Sequence, residues 1–396
     1  MKSSSMRLPA VAALLAVMLL VPAVVDRSSV TSLFTQFAVI SLLAMSYNML
    51  MGQTGMLSFG HAVYSGLGAY CTAHFLNHFG ADVLGAGIVF LPLVGAVSGA
   101  FFGLTLGFIS TRRSGIAFAM ITLGISELIA HLALMMPGWS GGEAGITVDR
   151  MLSTPILGFD LSSGLQAYYY VLGWSVLVIF LQFLITKTPI GRLSNAVRDN
   201  AERVMFIGFN PQKIRLLTMV LSGTFAGIGG SLMVVNYEIV TAETLGLGQS
   251  GMLLIAAYLG GSGLFLGPVL GAIVYVLFLS FVATLTQAWL LYFGVLFILV
   301  VLYSPRGLMP LLLALPEYGP RQWLRLLAIA LIGAAAVQLV ELVYLVEDGQ
   351  SGLSLLPLFP GLSPGMLSGL MGVLIAVVCF LLYRKRITSG FQGGPL

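Results

Sequence analysis

The sequence predicts an all-α polytopic membrane protein with about 10–12 transmembrane helices, some of them half-length or broken at glycine. Three observations carry that prediction. Hydrophobic residues make up 58% of the 396 residues and charged residues only 8%, and the mean hydropathy is +1.01. Apolar runs recur along the whole length, most of them near the roughly 20 residues that a helical crossing needs. The runs are continuously apolar rather than alternating, which selects helices over barrel strands.

Taken in order, the spans fall near 8–25, 33–51, 58–77, 87–109, 114–136, 165–186, 215–236, 250–264, 267–285, 288–303, 323–346 and 366–383. With the N-terminus inside, 16 of the 18 Lys and Arg residues face the cytoplasm, and only Arg27 and Arg150 fall outside. This asymmetry is a strong positive-inside signal and puts both termini on the cytoplasmic side. It also requires 250–264 to return the chain inward, although about 15 residues is short for a crossing, so a half-helix or tilted insertion is expected there. Val21-Pro22-Ala23 resembles a signal cleavage site after Lys2, Arg7 and a short apolar core. The apolar run continues past it, so the first span is read as retained.

One stretch cannot lie in lipid. Lys187, Arg192, Arg198, Asp199, Glu202, Arg203, Lys213 and Arg215 are eight of the chain's 32 charged residues, and each would cost about 2.5–3.5 kcal/mol at mid-bilayer. Between Pro189 and Pro211 the apolar residues Leu193, Val197, Ala201, Val204 and Ile207 recur at steps of three and four, which predicts one helical stripe. Gly208 then permits a chain reversal. An amphipathic helix on the cytoplasmic loop 187–215 is suited to docking a soluble partner.

Inside the membrane, Gly52-Gln53-Thr54-Gly55-Met56-Leu57 is echoed by Gly248-Gln249-Ser250-Gly251-Met252-Leu253. Such paired breaks on opposite sides of a bilayer are what an inverted repeat produces, and in transporters they point to the substrate path. Packing through small residues is the other reading of the echo. Asn48 and Gln53 are placed to satisfy backbone groups freed where the helix breaks. Glu127, with His131 one turn on, reads as a buried carboxylate that either lines a path or holds two helices together. His61, after Ser58-Phe59-Gly60, is either a packing or a pathway residue.

No phosphate loop surrounds any of the four lysines, and no His-Glu-x-x-His, Gly-x-Ser-x-Gly or Cys/His cluster is present. The chain is therefore not expected to be an enzyme or to carry a cofactor or metal. Cys71 and Cys379 lack ligand spacing and read as buried thiols. The glycine-rich outward loop 137–164 is either a connector or a docking element, and the loop 347–365 joins two spans.

At these residues the chain resembles the membrane permease subunits of branched-chain amino acid ABC importers of the LivM type. The resemblance rests on Asn48-Met-Leu-Met-Gly-Gln-Thr-Gly-Met-Leu-Ser-Phe-Gly-His-Ala62 and Gly66-Leu-Gly-Ala-Tyr70. Further on it rests on Ala119 through Glu127, Gly191-Arg192 through Asn200, Phe206 through Pro211, Ser222 through Gly230, Gly260-Gly261, Gly267 through Ala272 and Ser304-Pro-Arg-Gly-Leu308. Two departures stand out. Ala201 occupies the place where the family's coupling motif usually has an acid, with Glu202 next to it, and residues 310–396 extend beyond the usual end.

The resemblance implies an ABC importer permease fold in residues 1–310 and a C-terminal extension, read as a helical hairpin, in 311–396. It implies ATPase-coupling residues among Arg198, Asp199, Glu202, Arg203, Val204 and Gly208. The translocation path is expected at Asn48, Gln53, Gly55, Ser58, His61, Glu127, Ser250 and Gly251. The implied partners are a second related permease, two cytoplasmic ATPase subunits and an extracytoplasmic solute-binding protein, all at a bacterial inner membrane and without nucleic acid. The alternative is a proton-coupled secondary transporter using Glu127 and His131.

Overall fold

The computed structural model describes residues 16–22, 28–79, 90–149, 163–285, 289–304 and 306–314. The expected spans 323–346 and 366–383, the loop 347–365, Cys379 and most of the first span lie outside the described residues, as do Lys2, Arg7, Arg27, Arg150, Arg321, Arg325 and the basic tail. Two compact units are present, Met1–Thr284 with Phe293–Leu311, and Leu285–Tyr292 with Leu312–Leu396.

Each expected span between 33 and 303 coincides with a helix. These are α1 (Ser28–Asn48), α2 (Ala62–Phe79), α3 (Leu91–Ser110), α4 (Ile116–Met135) and α5 (Gly164–Lys187), then, after the charged loop, α8 (Pro211–Tyr237), α9 (Leu247–Gly260), α10 (Gly267–Leu277) and α11 (Trp289–Tyr303). The charged loop forms α6 (Pro189–Asp199) and α7 (Ala201–Phe206). Among the described residues, five helices are long and apolar enough to cross a membrane, so the chain is a multi-pass membrane protein. As its length foretells, α9 is short, with 14 residues.

Helix starts follow local chemistry. Proline occupies the first turn of α3, α6, α8 and α10, where its missing N–H costs nothing. Ahead of α8 the Asn210 side chain accepts from the Gln212 and Lys213 N–H groups at 2.9 and 3.4 Å, the usual N-cap arrangement.

The core sits around α8, which packs on α1, α2 and α3. Lipid tails are as apolar as Leu, so helices associate in a bilayer by close packing rather than by escape from water. Small residues make this possible here. A Cβ added at Gly227 would lie 2.0 Å from Gly95 O, one at Gly99 2.2 Å from Gly223 O, and one at Gly230 1.9 Å from Ser65 O. The backbones of α2, α3 and α8 therefore touch directly, and the Thr72 hydroxyl donates to Ser231 Oγ at 3.1 Å within the contact. Helices α9 and α10 repeat the device, since a Cβ at Gly271 would lie 1.8 Å from Ala256 O. A two-residue antiparallel ladder, Ile146–Thr147 (β1) with Ile239–Val240 (β2), joins the segment after α4 to the end of α8.

Two expectations change. The 189–211 stretch is not one helix, because Asn200 leaves the helical region (φ −160°, ψ 103°) and its side chain caps α7 by accepting from Arg203 N–H at 3.0 Å. The second glycine motif is no break either: Gly248 through Leu253 form the first turns of α9, and a Cβ at Gly251 would meet nothing within 4 Å.

Gly227→Ala is expected to destabilise the protein by roughly 1–3 kcal/mol through overpacking, whereas Gly251→Ala leaves stability unchanged or slightly raised. Thermal denaturation of the detergent-purified variants measures both.

Candidate functional site at the charged loop and the broken helix

The charged loop is a small folded element. Val197, Val204 and Ile214 form its buried centre, with Leu193, Ala196 and Ala201 packed around them. Ser194 Oγ lies 2.9 Å from Thr218 Oγ1, joining α6 to the base of α8. Gly191 lets α6 fold back tightly on α5, since a Cβ there would lie 2.6 Å from Ile185 O. After α7, Gly208 turns the chain with φ +90°, and the Phe209 N–H donates to Val204 O at 3.1 Å.

This packing sorts the expected coupling residues. Val204 is 2% exposed and belongs to the loop's own core, while Ile207, placed in the stripe by sequence, is 66% exposed. The helix ends at Phe206, and the chain turns Ile207 outward. Asp199, Glu202 and Arg203 are exposed. The reversal also projects Met205, Phe206 and Phe209, with Phe206 89% exposed. Sequence reading missed this apolar tip, although a run of four apolar residues ending at a glycine inside a charged loop is its signal.

The first glycine motif is a true interruption. Helix α1 continues as a π-helix over Met49–Thr54, and Gly55 stops it in the left-handed region at φ 68°. Non-helical chain then leads to Ala62, and other elements meet several of its polar groups, as irregular backbone in a membrane requires. The Tyr47 hydroxyl donates to Ser58 O at 2.9 Å and accepts from Ser58 N–H at 3.2 Å. Thr122 Oγ1 on α4 accepts from Phe59 N–H at 3.1 Å, and Ser250 Oγ on α9 accepts from Ala62 N–H at 3.0 Å. A residue of the second motif thus caps the helix that follows the first motif.

His61 is fully buried, with Nε2 3.0 Å from Ser46 Oγ. Ser46 Oγ also lies 2.7 Å from Leu43 O, and His61 Nδ1 has no partner. The expectation that Asn48 satisfies freed backbone is not met. Its Oδ1 has no partner, and Tyr47, Thr122, Ser250 and Arg198 serve the break instead. Gln53 is half-buried, and Ser58 and Ser250 are fully buried.

Glu127 is not a buried carboxylate. The inward face of α4 carries Phe118, Ala119, Thr122, Ser126 and Ala133, and Ser126 Oγ donates to Leu245 O at 3.0 Å. Glu127 and His131 lie on the other side, their side chains 41% and 70% exposed, 3.5 Å apart. Among the described residues no group of three or more His, Cys, Asp or Glu could hold a metal ion.

A family model described as "Branched-chain amino acid transport system / permease component" matches residues 29–303. The chain is 29% identical over 321 residues to the high-affinity branched-chain amino acid transport system permease protein LivM of Salmonella typhimurium, covering 76% of this chain and 74% of that one. It is 28% identical over 330 residues to a probable LivM permease of Methanocaldococcus jannaschii, covering 69% and 91%. It is also 29% identical over 281 residues to the autoinducer 2 import system permease protein LsrC of Escherichia coli, covering 66% and 76%. No solved structure matches. The chain belongs to this permease family. It is a membrane permease component of an ABC-type importer, and in such systems ATP hydrolysis resides on separate ATPase subunits.

Val204→Asp should unfold the charged loop at a cost of roughly 3 kcal/mol or more, because it buries an unpaired charge. Phe206→Asp should shift stability by no more than about 0.5 kcal/mol, and hydrogen exchange across 189–214 distinguishes the two. With Cys71 and Cys379 replaced by serine, Phe206→Cys should label with a hydrophilic maleimide while Ser58→Cys and Ser250→Cys resist it.

Proposed function

We propose that the chain forms half of the translocation pore of an importer for branched-chain amino acids or related small amino acids in a bacterial inner membrane. A second related permease supplies the other half. Two cytoplasmic ATPases drive it, and an extracytoplasmic binding protein delivers the substrate. Both termini are cytoplasmic in this reading, the orientation that places 16 of 18 Lys and Arg inside.

The observation that carries the reading is the apolar tip Met205, Phe206, Ile207 and Phe209, held out from a loop whose core and hydroxyl contacts fix it to α8. Exposed apolar residues on a rigid, charged element suit a cleft in a soluble partner. Asp199, Glu202 and Arg203 flank the tip and supply the polar rim.

Glu127 belongs to the path in this reading. It stands midway along α4, on an exposed face where lipid would be costly, so that face meets pore water or the second permease. Ser58, His61 and Ser250 hold the broken segment in place and shape the wall without touching substrate. Family membership displaces proton symport through Glu127 and His131 as the driving chemistry.

Proteoliposomes containing the assembled complex should accumulate L-leucine only with internal ATP, and a protonophore should leave that uptake intact. Phe206→Asp should leave the permease folded and remove the ATPases from it. Accumulation by this chain alone, driven by a pH gradient, would overturn the proposal.

A further inference from the structure

The sequence places Arg198 among the residues that meet a partner, but the structure turns its guanidinium back into the chain. Arg198 Nη1 donates to Gly52 O, within the π-helical end of α1. Carbonyls in the last turn of a helix lack the N–H groups of a following turn, and the negative end of the helix dipole favours a cation there. Leu50 O is served locally, by the Thr54 hydroxyl at 2.7 Å, by Met56 N–H at 3.1 Å and by Gly55 N–H. The Gly52 carbonyl is served from a residue 146 positions away.

The contact is shaped on both sides. The Arg198 stem lies across Gly55, where a Cβ would stand 2.9 Å from Arg198 Cγ, so the glycine is required for space as well as for its φ. Asp199 Oδ1 accepts from Arg198 Nε at 3.1 Å and orients the fork; being exposed, this pair contributes little to stability by itself.

Each end of the contact leads elsewhere. Behind Arg198, α6 and α7 share the Val197, Val204 and Ile214 core and carry the apolar tip. Beyond Gly55, the non-helical chain is bonded to α4 through Thr122, and the start of α2 at its end is bonded to α9 through Ser250. The π-helix is the adjustable part between them. Its bonds close from i to i+5, so reverting to α geometry would release one residue and shift the chain that follows.

We propose that Arg198 is the positioning residue through which movement of α6 and α7 reaches the broken end of α1, and through it the segment bonded to α4 and α9. This rests on the function proposed above, in which the tip is moved by an ATPase. Arg198 acts by holding the π-turn in register with α6, and it makes no contact with the ATPase.

The test compares wild type, Arg198→Lys and Arg198→Gln in the assembled complex, with L-leucine as transport probe. ATPase subunits should remain bound in all three. Leucine transported per ATP hydrolysed should fall about tenfold in Arg198→Gln, the effect of losing one charge-assisted hydrogen bond, and less in Arg198→Lys, which keeps the charge and loses the fork. In the full chain alone in nanodiscs, amide exchange across 50–57 should rise about tenfold in Arg198→Gln. Loss of the ATPases from Arg198→Gln would make Arg198 a docking contact and overturn the proposal. An unchanged leucine-to-ATP ratio or unchanged exchange would overturn it too. A wild-type complex without ATP-driven leucine uptake would sink the functional reading alone, and the exchange measurement would still decide whether Arg198 holds the end of α1.

Discussion

The backbone of α8 lies directly against those of α2 and α3, and the other arrangements follow from that contact. Gly223, Gly227 and Gly230 on one side and Gly95, Gly99 and Ser65 on the other leave no room for a methyl group. Dispersion between surfaces this close replaces the hydrophobic drive that lipid removes. The consequence at the base of α8 is positional. Because the helix cannot slide against its neighbours, Ile214 and Thr218 offer fixed anchor points, and the charged loop built on them stands at a set distance from the end of α1.

A membrane interior tolerates irregular backbone only where protein or water satisfies it. The break and the two helix ends that bound it are bonded by residues from four separate elements: Tyr47 on α1 and Thr122 on α4 to the non-helical chain, Arg198 on α6 to Gly52 before it and Ser250 on α9 to Ala62 after it. Local sequence supplies few of these partners. The interruption is therefore a tertiary feature, and any movement of one partner is felt by the backbone between Gly55 and Ala62. A regular helix at the same place would satisfy itself and transmit nothing of the kind.

The helices were legible because continuous apolar length encodes a crossing, and the charged loop was legible because eight charges cannot enter lipid. What failed has a common cause. Gly52 through Leu57 and Gly248 through Leu253 share five of six residues, yet one is a break and the other a helix start. The difference lies outside the motif: Gly55 is crossed by Arg198, while Gly251 faces open space. Glu127 misled for a related reason. In a soluble helix the apolar face is the buried one, but α4 buries Thr122 and Ser126 and exposes Met120, Leu128 and Leu132. When the solvent is lipid, polarity no longer reports which face is inside. Asn200 was the readable exception, an N-cap residue followed by an acid in the first turn of α7.

The charged loop presents two surfaces of opposite chemistry, and the contrast bears on how it can work. Outward it presents Met205, Phe206, Ile207 and Phe209, and apolar contact is non-directional, so a partner surface can rotate against it without losing hold. Inward it presents a guanidinium to a single carbonyl, and that bond weakens steeply with misalignment. In the function proposed above, an element gripped loosely on one side and directionally on the other would turn a coarse displacement of its partner into a defined displacement at one peptide group. The buried core of Val197, Val204 and Ile214 ties the two ends into one folded unit, which a flexible charged linker would lack.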